Sequence, residues 1–72
     1  MSENGMIEVL VNGEPTRIGE PASLMMLIEQ LDLPRQRIAI EHNLEIVSKT
    51  KWAETVLHDG DRLEIVHFVG GG

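Results

Sequence analysis

A chain of 72 residues holds one domain with a small core, because a polypeptide this short buries only about 60% of the surface it exposes when unfolded. It contains no cysteine, which excludes a disulfide framework and a thiolate metal site and leaves stability to the packing of regular elements. Six Lys and Arg against twelve Asp and Glu give a formal net charge of −6, which repels a phosphate backbone, argues against nucleic acid as a partner and favours docking onto proteins with basic patches.

Met1 to Gly5 show no periodic pattern and read as a flexible leader, so the organised domain is expected over 6–68. Ile7, Val9 and Val11 alternate with Glu8, Leu10 and Asn12 at the period of a half-buried strand, and Asn12-Gly13 is a strong hairpin signal that returns the chain into a second strand near Thr16 to Gly19. Leu24, Leu27, Ile28 and Leu31 then recur on one helical face behind Ser23, a suitable N-cap, and the helix is expected to stop between Asp32 and Pro34. Ile38–Glu41 and Leu44–Val47 read as short strands parted by His42-Asn43, and Trp52 as a packing residue in an irregular turn. His58-Asp59-Gly60-Asp61 is a turn, with the two aspartates serving it, and Arg62 to Phe68 is the most strand-like run in the chain. These elements predict an α+β domain with one main helix. A helix of about eight residues cannot cover both sides of a four- to five-stranded sheet, so one side is expected to be open.

The longest apolar stretch, Leu24 to Ile28, is far below the roughly 20 residues that span a bilayer, and no signal-peptide core precedes it, so a cytoplasmic protein without a membrane partner is expected.

Chemistry is scarce inside the domain. His42, His58 and His67 are scattered, and no nucleophile elbow or phosphate-binding loop accompanies them. No catalytic residue, metal site or intrinsic cofactor is predicted, and His67 reads as a rim residue at the strand end.

The chain finishes Val69-Gly70-Gly71-Gly72, and three consecutive glycines arise by chance at a given place with odds of only roughly 3 in 10,000. A flexible tail over 69–72, without Cβ atoms on its glycines, could thread a channel too narrow for side chains. Extended, it spans about 13 to 14 Å. Ordering it costs on the order of 4 to 8 kcal/mol, so the folded body must also bind the receiving enzyme.

The segments Asn43-Leu44-Glu45-Ile46-Val47, Lys51-Trp52-Ala53, His58 to Val66 and the terminal glycines, together with Val11-Asn12-Gly13-Glu14 and the helix from Ser23 to Leu31, closely resemble the ThiS sulfur carriers. Ser48 departs from the pattern at a position where that family commonly carries proline. The resemblance implies a ubiquitin-like β-grasp fold, with a mixed sheet packed on the one helix. It also implies that Gly72 is the covalent site. In the cycle that the resemblance implies, a ThiF-type adenylyltransferase, using ATP and Mg, would convert the Gly72 carboxylate to an acyl adenylate. Sulfur from a cysteine desulfurase would then replace the adenylate to leave a thiocarboxylate, and a ThiG-type thiazole synthase would receive that sulfur. A chain without cysteine has no side-chain thiol on which to carry sulfur, which agrees with a terminal attachment.

Three other readings remain open at this level: a small subunit of molybdopterin synthase, a ubiquitin-like protein modifier, and a β-grasp RNA-binding domain. Strand parity adds a docking expectation. If Leu63 and Ile65 face the helix, Glu64, Val66 and Phe68 face away, and Leu10 has the opposite parity to Val9 and Val11, so Leu10, Val66 and Phe68 are expected as an apolar partner-binding cluster ahead of the tail.

Overall fold

The computed structural model describes residues 5–69. Strands β1 (Met6–Val11) and β2 (Glu14–Gly19) form the first hairpin, closed by Asn12 at φ 50° and Gly13 at φ 85°. Both central residues are left-handed, as the tight turn that suits a twisted hairpin requires. Strand β2 begins two residues before the predicted Thr16 because the two-residue turn lets pairing start at Val11 with Glu14.

Helix α1 (Leu24–Gln30) begins where expected: the Ser23 side chain accepts from Met26 N–H and satisfies one of the free donors of the first turn. It ends earlier than proline alone would dictate. Asp32 takes a left-handed conformation (φ 55°), and its N–H donates to Glu29 while Leu33 N–H donates to Ile28, so the last carbonyls are closed two residues ahead of Pro34.

The second hairpin joins β4 (Ile38–His42) to β5 (Glu45–Val47). Its turn is Asn43-Leu44, both at positive φ, one residue beyond the predicted His42-Asn43. Ser48, where proline was expected, has φ −63° and ψ 144°, a backbone that proline also adopts, and a 3₁₀ helix over Lys49–Glu54 follows it. This helix buries Trp52, whose indole Nε1–H donates to the Val47 carbonyl at 3.1 Å. Two short strands that carry no periodic signal, β3 (Ala22–Ser23) and β6 (Val56–Leu57), pair with each other and flank the helix start.

Strand β7 (Arg62–His67) is the centre of a mixed five-stranded sheet in the order β2-β1-β7-β4-β5, parallel to β1 and antiparallel to β4. One side of this sheet presents Ile7, Val9, Ile18, Ile38, Ile40, Leu63 and Ile65 to the helix residues Leu24, Leu27 and Ile28, with Trp52 and Leu57 completing the core. Among the described residues the other side carries no helix. This is the predicted sheet-on-helix α+β architecture, and burying that apolar set supplies the main stabilising term.

Candidate functional site

The open sheet side and the end of β7 form the region ahead of the tail. Residues along β7 alternate in their hydrogen bonding as well as in their side chains. Leu10 and Asn12 N–H donate to the Asp61 and Leu63 carbonyls on the β1 side, while Asn43 N–H donates to Arg62 and Phe68 N–H to the Arg37 carbonyl on the β4 side. The last of these bonds holds the chain against β4 one residue beyond the strand.

Val66 lies on the open side, 60% exposed and directly opposite the exposed Ala39. Phe68 is 39% exposed, with the Lys49 ammonium 6.0 Å from its ring centroid. Ile46, which parity alone could not link to these residues, reaches the same side through its pairing with Glu41. Val69 is 91% exposed. Gly70, Gly71 and Gly72, the expected tail and covalent site, lie outside the described residues.

Leu10 shares the open side but stands apart from the other two. The parallel register sets it beside Arg62, four residues behind Val66 along β7, and it is half-buried beside Pro15. The three residues therefore do not form one cluster: β1 ends level with Leu63, whereas β7 runs on. The apolar set near the strand end is Val66, Phe68 and Ala39, while Ile46 lies two strands over, level with Glu64.

Electrostatics distinguish this surface. Glu41 and Glu64 stand directly opposite each other on neighbouring strands, an unfavourable arrangement in an isolated sheet, and neither takes part in an ion pair among the described residues.

A second polar group, at the far end of β7, escaped the sequence reading. The Asp61 carboxylate accepts from His42 Nε2 at 2.7 Å, His58 N–H at 2.9 Å and Asn43 Nδ2 at 3.2 Å. Burial raises the Asp61 pKa, but hydrogen bonds from His42, His58 and Asn43, together with the His42 charge, outweigh it and hold the carboxyl below its ordinary value. His42 and Asp61 are 19 positions apart, so only strand pairing reveals the contact. Asp59 Oδ1 accepts from Glu8 N–H, fastening the same turn to β1. The group ties two turns together. His67 is exposed at the rim, and no group of three or more acidic, His or Cys side chains is placed to hold a metal among the described residues. Nor is any helix of those residues long and apolar enough to cross a membrane.

The ThiS family model matches residues 9–72. The chain is 38% identical over 66 residues to a thiazole synthase of Paramagnetospirillum magneticum, covering 92% of this chain but only 20% of that one, so it spans about one fifth of that relative's length. It is 38% identical over 53 residues to the sulfur carrier protein ThiS of Bacillus subtilis, covering 74% of this chain and 80% of that one. The crystal structure of the thiamine biosynthesis protein ThiS from Geobacter metallireducens superposes with a TM-score of 0.78 at 28% identity, covering 92% of this chain and all of that one. With a helix on one side of a five-stranded mixed sheet and a family match running to the last glycine, the chain belongs to the ThiS family.

Proposed function

We propose that this protein is a sulfur carrier for the thiazole branch of thiamine biosynthesis, acting as a co-substrate of other enzymes and not as a catalyst. The observation that carries this reading is that a segment similar to the chain forms a fifth of a thiazole synthase polypeptide, which supports a synthase as the sulfur acceptor.

In this reading Gly72 carries the sulfur. Its carboxylate attacks the α-phosphorus of ATP on a ThiF-type adenylyltransferase, and pyrophosphate leaves. The resulting mixed anhydride is the better electrophile. A persulfide sulfur originating from a cysteine desulfurase attacks its carbonyl carbon, and AMP departs. The new bond is carbon to sulfur, which leaves an acyl disulfide. A thiol then attacks the donor-side sulfur of the S–S bond that the persulfide brought, so that the donor sulfur and the thiol end as a disulfide and the thiocarboxylate is freed for the ThiG-type synthase. ATP and Mg belong to the activating enzyme, and the setting is cytoplasmic.

The body docks through the open sheet side. Val66 and Phe68 supply apolar contact close to the tail, and Glu41 facing Glu64 favours an Arg or Lys of the docked enzyme, which would relieve their repulsion. The test is growth of cells that lack their own carrier. This gene should restore growth without added thiazole, and restoration only of molybdenum-cofactor-dependent growth would replace this reading with the molybdopterin one.

A further inference from the structure

Strand β7 outruns β1, and the rung after Leu63 has no backbone partner on that side. Strand β1 turns away at Asn12, where φ is 50°, so the residue that would continue the parallel ladder is lost to the hairpin. The Asn12 side chain takes its place. Its Oδ1 accepts from Ile65 N–H at 2.7 Å, and its Nδ2 donates to the Ile65 carbonyl at 3.1 Å. A side-chain amide presents the same donor and acceptor as a peptide group, so both polar groups of Ile65 are satisfied across 53 residues of sequence. On the opposite edge the Phe68 N–H bond to Arg37 holds the chain against β4. Strand β7 is thus held on the β1 side at Ile65 and on the β4 side at Phe68, the residue before Val69.

We infer that Asn12 is a positioning residue for activation of the C-terminus: by pinning Ile65 it fixes the direction in which the tail leaves the docked body. This rests on the carrier reading. A turn residue alone needs only the left-handed conformation, which glycine provides equally well. The paired hydrogen bonds go beyond what the turn requires, and they fall on the central strand that leads into the tail. The bonds hold the strand that delivers the tail, and small displacements of a reacting group are costly.

The experiment uses Asn12→Gly in the full chain, which keeps the turn and removes both bonds. With a ThiF-type adenylyltransferase and ATP, kcat for pyrophosphate release should fall roughly ten- to a hundredfold while KM for the carrier stays within about twofold. Amide exchange at Ile65 should accelerate. Ser23→Ala, which removes the helix cap and lowers stability away from the tail, serves as the control and should leave kcat unchanged. If Asn12→Gly unfolds, Asn12→Asp keeps the turn but cannot donate to the Ile65 carbonyl, and its kcat is read in the same way.

A folded Asn12 variant with wild-type kcat, or a fall in kcat matched by Ser23→Ala, would overturn the positioning role. Absence of pyrophosphate release from the wild-type chain would instead refute the carrier reading and the role of Asn12 with it, while exchange at Ile65 still reports whether the Asn12–Ile65 bonds exist.

Discussion

Replacing Asp61 by alanine should destabilise the domain more than its position in a surface turn suggests. The carboxylate accepts three hydrogen bonds, and such bonds to a charged group contribute about 1.5–3 kcal/mol each. They share one acceptor and are not additive, and the pair is only partly buried, so the expected loss is about 2–4 kcal/mol, below that for breaking a fully buried pair. A domain of this size has a total stability of roughly 4–11 kcal/mol, so the loss is a large share of it. Asp61→Asn retains acceptor capacity but not charge and should cost roughly half as much. The pH dependence follows from the depressed carboxyl: its contribution is present above the ordinary value of 3.8 and is lost as pH falls through the lower folded value. Urea titrations at pH 7 and at successively lower pH are the assay. The gap between wild type and Asp61→Ala should be full at pH 7 and close in acid. A gap under about 1 kcal/mol at pH 7, or one unchanged by acid, would show that the group does not act as a charged latch.

Val66→Asp and Phe68→Asp should leave the circular dichroism spectrum unchanged and weaken binding to both the adenylyltransferase and the synthase by about 2 kcal/mol or more, measured by calorimetry; wild-type affinities would move docking off this sheet side. Leu44→Gly should raise the urea midpoint by the equivalent of up to about 1 kcal/mol, since Leu44 sits at φ 75° and is 86% exposed, and glycine removes the left-handed strain at a smaller entropic cost; a lower midpoint would mean that the leucine makes contacts that outweigh the strain. Deleting Gly72, or Gly71→Val, should leave the fold intact and abolish or sharply slow pyrophosphate release, and normal release would remove the terminus as the reactive group.

What could be read from the residues alone was whatever depends on neighbours in sequence. Alternation over Ile7 to Val11, the Asn12-Gly13 turn, the Ser23 cap and the Leu24-Leu27-Ile28 spacing are local patterns with one dominant physical solution each. The parity of β7 was legible for the same reason, and Leu63 and Ile65 are buried while Val66 is exposed. Features set by long-range register were not. Leu10 has the predicted parity, yet its distance from Val66 depends on which residue of β7 it meets. The Glu41–Glu64 apposition, the Asp61 group and the Asn12–Ile65 bonds likewise appear only once strands distant in sequence are paired. Strands β3 and β6, at two residues each, are too short to carry a period, and the Asn43-Leu44 turn lacks the glycine that would have marked it.

In the proposed mechanism, sulfur travels on the terminal carboxyl group of Gly72. Its most direct test is intact and peptide mass spectrometry of the wild-type chain after incubation with ATP, a ThiF-type adenylyltransferase and a persulfide donor. The expected result is a gain equal to one sulfur replacing one oxygen, confined to the peptide that ends in Gly70-Gly71-Gly72. Mass added at an internal residue, or a conjugate to a lysine of another protein, would contradict it.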